Sequence, residues 1–146
     1  MNMIIELVNQ ILKNQSQLGG IMKKTIQTDN APKAIGPYSQ AVSFGNLIFT
    51  SGQIAIHPAS GKIVRDGIEE QTRQVMTNLK AILEAAGSDL TKVLKSSVFL
   101  NDINDFSRFN EVYATYFPES PPARSTFQVS ALPMGAKVEV EMIAIL

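Results

Sequence analysis

Pro121-Pro122-Ala123-Arg124-Ser125-Thr126-Phe127 and, one turn later, Lys137-Val138-Glu139-Val140-Glu141 are the stretches from which the rest of the chain can be read. Two adjacent prolines suit neither a helix interior nor a central strand. They make a stiff lead that delivers Arg124 to the mouth of a strand. From there the residues alternate: Arg124, Thr126 and Gln128 face one way, and Ser125, Phe127 and Val129 the other. A guanidinium aimed by a rigid backbone can grip a carboxylate or phosphate through two parallel N–H donors. Beyond a turn on Pro133 and Gly135, the second strand carries Glu139 and Glu141 on one face. Pairing of the two strands as a hairpin would bring arginine and carboxylate into one pocket. The plainer alternative is a solvated arginine and a wet strand face.

The chain has 146 residues, enough for one domain with its own core, and 45% of them are hydrophobic. Thirteen basic and thirteen acidic residues cancel. That balance gives no reason to expect nucleic acid as the main partner. With no cysteine, disulfides, thiolate metal sites and a cysteine nucleophile are excluded. The single histidine, His57, sits beside Pro58 in a loop over 57–62 and reads as solvated. A cytoplasmic protein is the default.

Residues 1–21 read as an N-terminal extension and 22–146 as the folded domain. In the extension, Met3, Ile4, Leu7, Val8, Ile11 and Leu12 recur at helical spacing before Gly19-Gly20. The segment lacks the basic start and cleavage site of a signal peptide, and it is too short to span a membrane. It reads as a docking helix, a loose tail, or translation from an upstream start. The last is favoured: Met22-Lys23-Lys24 resembles a fresh start, and Gly-Gly before Met22 is what a purine-rich ribosome-binding site encodes.

Within the domain, Lys24–Thr28 is expected as an edge strand, with turns at Asp29–Pro32 and Ile35–Pro37. Tyr38–Ser43 and Leu47–Ile54 read as a hairpin about Gly45-Asn46. Gly52, inside that strand pattern, marks a bulge or a close backbone approach. Gly67–Ala86 is helical, with Ile68, Val75, Met76, Leu79, Ile82, Leu83 and Ala86 in one stripe and Gly87 as its cap. Val93–Leu100 is a strand. A second helix runs from about Ile103 to Phe117, packed through Phe106, Phe109, Tyr113 and Phe117. The order is β-β-β-α-β-α-β-β, an α+β fold with a mixed sheet and two helices on one face. Two helices cover one face only, yet Leu47–Phe49, Val98–Leu100 and Val138–Ile145 carry apolar residues on both. Self-association through the bare face is the physical answer, with pockets at the seams between copies.

Gly36-Pro37-Tyr38-Ser39-Gln40, Thr50-Ser51-Gly52-Gln53, the helix Thr77–Gly87, Asn104-Asp105-Phe106, Pro122-Ala123-Arg124-Ser125 and Val138-Glu139-Val140-Glu141, in collinear order from about Met22 to Leu146, together resemble the RidA imine-deaminase family. The resemblance implies a chorismate-mutase-like fold, assembled as a homotrimer around a central barrel with three sites between subunits. It implies hydrolysis of 2-imino acids or their enamine tautomers, such as 2-iminobutanoate and 2-iminopropanoate, to 2-oxo acids and ammonia. It implies no cofactor and no metal. By the same resemblance Arg124 grips the substrate carboxylate and Glu139 positions water, while Tyr38, Ser51, Gly52 and Asn110 contribute to the pocket. Many members carry cysteine two residues after the arginine; here Thr126 lines the pocket instead. A thiol-based switch is thereby removed, but the deamination needs no thiol. Spacing alone leaves open whether Glu139 or Glu141 faces the site; only the resemblance prefers Glu139. Two other roles attributed to relatives are a non-catalytic metabolite-binding or regulatory trimer and a ribonuclease or translation inhibitor. Intact Arg124 and Glu139 favour the enzyme over the first, and balanced charge weighs against the second.

Overall fold

Gly45, at φ 59°, turns the chain between β2 (Ala41–Phe44) and β3 (Leu47–Thr50), the conformation that a two-residue hairpin loop requires. The computed structural model in which this is seen describes residues 3–6, 8, 10 and 22–146. Residues 3–6, 8 and 10 are helical and exposed; Leu7, Ile11 and Leu12 of the amphipathic pattern lie outside the described residues. Among the described residues, none forms a helix long and apolar enough to cross a membrane.

The other strands are β1 (Lys24–Ile26), β4 (Val93–Leu100), β5 (Ala123–Gln128) and β6 (Val138–Ile145); the helices are α1 (Ile68–Ala85) and α2 (Phe106–Ala114). The mixed sheet runs β1-β2-β3-β6-β4-β5, antiparallel throughout except for the β4–β5 pair. The predicted order of elements is the observed one. Both helices lie over one face. Val75, Leu79, Ile82 and Leu83 of α1 pack in one core with Ile48, Val98, Leu100, Val140 and Ala144 of the sheet. At the end of α1, Gly87 at φ 84° lets its own N–H reach the Glu84 carbonyl and that of Ser88 reach Leu83, a Schellman closure.

The expected hairpin between the last two strands does not form. β6 alternates buried residues on its helix face and is paired on both edges, by β3 and β4. β5, with its proline lead and polar residues, is an edge strand parallel to β4, reached through α2 as a crossover. The second helix is also shorter than predicted. A 3-10 turn, Ile103–Asp105, precedes it, and Phe117 lies beyond its end, though still buried in the core. Tyr38 lies before β2 and Ser51-Gly52 after β3, so both stand in loops rather than strands. The sheet face away from the helices carries Phe49, Phe99, Phe127 and Ile143, none of them fully buried and none covered by another described element.

Buried amides peg the loops to this frame. Gln40 donates to the carbonyls of Thr28, Ala31 and Pro32. Asn78, fully buried on α1, donates to Ile56 O at 2.9 Å and to Ile54 O at 3.4 Å, which fixes the chain just after Gly52. Asn78→Leu keeps the volume but leaves the Ile56 carbonyl without that partner. It is expected to cost about 1–3 kcal/mol, read as a lower chemical-denaturation midpoint. Thr77→Ala, one residue away on the exposed side, should stay within about 0.5 kcal/mol of the parent.

Candidate active site

Arg124 opens β5 opposite Ser96 of β4, on the helix-covered face. The crossover through α2 therefore lays the aromatic side of that helix over the guanidinium. Its Cζ lies 4.8 Å from the Tyr113 ring centroid, 5.6 Å from Phe106 and 5.7 Å from Phe109. The Tyr113 hydroxyl and Ser96 Oγ are 2.7 Å apart in the interior, which locks the nearest ring. Burial raises the Tyr113 pKa, partly offset by the Ser96 hydrogen bond and the Arg124 charge. No carboxylate among the described residues pairs with Arg124.

The guanidinium borders two cavities. One, about 440 Å³, is shared with Asn110, Ala114, Pro121 and Pro122. The other, about 650 Å³, is shared with Asn104, Phe106, Ser107 and Thr126. Asn110 and Thr126 thus flank Arg124 from different sides. Thr126 Oγ1 is buried and has no hydrogen-bond partner among the described residues, a condition that costs free energy until something polar reaches it.

Glu139 stands on the opposite face of the sheet, paired with Phe99. Its side chain lies against the backbone of Gly52: a Cβ there would collide with Oε1 and come within 2.8 Å of Cδ. Gly52 is the close approach expected from the sequence, made by an isolated bridge in which Gln53 and Val140 exchange hydrogen bonds of 2.9 and 3.1 Å. Ser51 is held by its hydroxyl, which donates to Ser39 O at 2.6 Å. Tyr38, 48% exposed, leans over the same cavity of about 350 Å³, whose apolar wall includes Ile35, Ile54, Ile56 and Met134. Burial pushes the Glu139 pKa above the ordinary carboxylate value, and the like charge of Glu141 pushes it further. Glu141 shares the face but opens into a different cavity, with Lys95 and Ser97. Of the two glutamates, Glu139 is the one that shares a cavity with Tyr38, Ser51 and Gly52.

The seven candidate residues therefore form two clusters. Arg124, Asn110 and Thr126 make a cationic half, and Tyr38, Ser51, Gly52 and Glu139 an acidic half, separated by the thickness of the sheet. One protomer does not bring Arg124 and Glu139 into a common pocket, contrary to the hairpin expectation. Residues overlooked in the sequence are Ser96 and Tyr113 behind the arginine, and Phe106, expected in the core but 36% exposed and set against the guanidinium. The aromatic spacing 106, 109, 113 was the available signal; a parallel β4–α2–β5 crossover would have aimed it at Arg124.

Residues 28–146 match the family described as Endoribonuclease L-PSP. The chain is 57% identical over 123 residues to a RutC family protein of Pyrococcus horikoshii, covering 84% of this chain and 98% of that one. It is 51% identical over 128 residues to the 2-iminobutanoate/2-iminopropanoate deaminase of Bos taurus, covering 88% of this chain and 93% of that protein. The crystal structure of E. coli TdcF with bound serine aligns with a TM-score of 0.81 at 44% identity, over 84% of this chain and 99% of that one.

Gly52→Ala is expected to drive the Glu139 carboxylate off its backbone seat toward solvent. In a carboxyl-detected NMR titration the Glu139 pKa should then fall toward the ordinary value. An unmoved pKa would mean that the contact with Gly52 does not hold the side chain in place.

Proposed function

The chain belongs to the RidA family, and from that membership we propose that it hydrolyses 2-imino acids, or their enamine tautomers, to 2-oxo acids and ammonia. The observation that carries this reading is the charge pattern: among the described residues neither Arg124 nor Glu139 has an ion-pair partner. A scaffold that leaves an aimed cation and a half-buried carboxylate unmatched has room for a ligand with both a carboxylate and a protonatable nitrogen. The serine held by the E. coli relative is a ligand of that kind.

Two copies would complete each site. One supplies Arg124, flanked by Asn110 and Thr126; the next supplies Tyr38, Ser51, Gly52 and Glu139. Each copy has one half of each sort, so the contacts run head to tail; where the rotation between copies closes they form a ring, and a homotrimer would place three sites between subunits. The exposed Phe49 and Phe127 then become contact surface.

In the site, Arg124 binds the substrate carboxylate with two N–H donors and fixes C2 opposite the acidic half. Glu139 accepts a proton from water as the water oxygen bonds to C2 and the C=N π electrons move to nitrogen. Glu139 returns that proton to the nitrogen; the C2 hydroxyl then gives up its own proton, which passes to the nitrogen as the C–N bond breaks, so that ammonia leaves and the hydroxyl oxygen becomes the carbonyl of the 2-oxo acid. No group has to act as a covalent nucleophile. RNA cleavage, which the family's name also suggests, would ask for phosphate-binding surface that a chain of zero net charge is poorly supplied to build.

The test is coupled deamination. 2-Iminobutanoate is generated from threonine by a dehydratase and trapped with semicarbazide; the protein is expected to suppress the semicarbazone. Arg124→Ala, checked for assembly, should lose about 2–5 kcal/mol of transition-state binding, roughly 30- to several-thousand-fold in kcat/KM. Equal suppression by the variant would remove the arginine from the mechanism, and no suppression by either would overturn the deaminase.

The pH profile has a determined sign. Only ionised Glu139 can accept the proton, so kcat should rise with pH through its elevated pKa. Glu141→Gln removes the neighbouring like charge and is expected to move that acid limb to lower pH.

A further inference from the structure

A substrate-binding arginine is commonly steadied by a neighbouring carboxylate, which neutralises part of its charge and occupies some of its donors. Arg124 is held in another way. Three rings of α2 surround its Cζ at 4.8, 5.6 and 5.7 Å, and no carboxylate of the described residues pairs with it. A ring face attracts a guanidinium through its quadrupole, while the N–H donors in the guanidinium plane stay free to point elsewhere.

The rings are not equivalent. Phe109 and Tyr113 are buried in the core, and their centroids lie 5.3 Å apart. They would be aromatic for packing alone. Phe106 is 36% exposed, stands one turn nearer the start of α2, and lines the cavity that Arg124 shares with Thr126. It adds little to the core, and its contact with the guanidinium is what its position provides.

We propose that Phe106, with Phe109 and Tyr113 behind it, is a positioning residue: an aromatic seat that holds Arg124 as a fully charged cation with its donors free for the substrate carboxylate. The proposal rests on the reading of Arg124 as the carboxylate-binding group. It gives the aromatic stripe of α2 a role in substrate affinity as well as in packing.

The experiment compares wild type, Phe106→Leu and Phe106→Tyr as assembled proteins of confirmed mass. Binding of 2-oxobutanoate, a product-like carboxylate, is measured by calorimetry, and KM and kcat by the coupled assay. Phe106→Leu keeps an apolar side chain and removes the π face. It is expected to weaken 2-oxobutanoate binding and raise KM by about three- to ten-fold, with kcat within about two-fold of wild type. Phe106→Tyr restores the ring and should restore both constants.

Unchanged binding in Phe106→Leu would overturn the seat. So would a folded Phe106→Tyr that fails to recover affinity, because shape rather than the π face would then be what matters. A wild type that binds 2-oxobutanoate with this variant pattern but does not deaminate would support the seat while overturning the deaminase. A wild type that binds no carboxylate would overturn the seat together with the role of Arg124.

Discussion

Neighbouring residues of a pleated strand point to opposite faces of the sheet, and this rule decides what the chain can do alone. Arg124 pairs with Ser96 and so belongs to the face under the helices; Glu139 pairs with Phe99 and belongs to the other. Ser96 and Phe99 are three residues apart on one strand, so the backbone layer stands between the two charges. No loop movement or side-chain rotation changes that, because a one-residue slip would invert the buried set Val138, Val140, Met142 and Ala144 along with it. In the proposed mechanism a second copy is therefore a requirement of register, and it brings an arginine to a carboxylate that its own arginine cannot reach.

The treatment of charge elsewhere in the molecule sharpens the contrast. Arg108 on α2 donates to both oxygens of Glu69 on α1 at 2.7 and 2.8 Å, and the pair ties the two helices at the surface. Glu69 is shifted below its ordinary pKa by that hydrogen bond, the direction expected of a matched carboxylate. Glu139 is shifted the other way, by burial and by a like charge. The matched pair thus joins two elements of the frame. Arg124, Glu139 and the hydroxyl of Thr126 have no such partner among the described residues and stand at cavities on either side of the sheet, where a ligand could satisfy them.

Much of the frame was legible because its signals are local. The stripe of α1 and its glycine closure, the Gly45-Asn46 turn and the strand Val93–Leu100 follow from periodicity and backbone preference, and they stand where the sequence places them. The close approach at Gly52 was legible as well, although its partner was not: nothing local says that the atom pressing on it belongs to Glu139. Strand partners are non-local, and there the reading failed. Adjacent strands in sequence suggested a hairpin, but the apolar β6 was drawn to the centre of the sheet and the polar, proline-led β5 to its edge. The same error hid the seat of Arg124. An aromatic stripe reads as core until the crossover that carries it is known to pass over an arginine.

Thr126 shows how little such chemistry asks of the side chains. An imine carbon is already open to water, so a catalyst gains mostly by orientation and by placing a proton acceptor on the attacking side. Neither task needs a thiol, a metal or an activated hydroxyl. A β-branched threonine suits the strand at this position and holds its hydroxyl in a narrow range of directions. That hydroxyl is buried beside Arg124 and has no hydrogen-bond partner among the described residues. A cysteine would leave a weaker donor, and an alanine none, so threonine is the choice that most needs a polar occupant in the adjoining cavity. The proposed substrate offers one: a carboxylate has two oxygens and about four lone-pair sites, enough for the guanidinium fork and the threonine together.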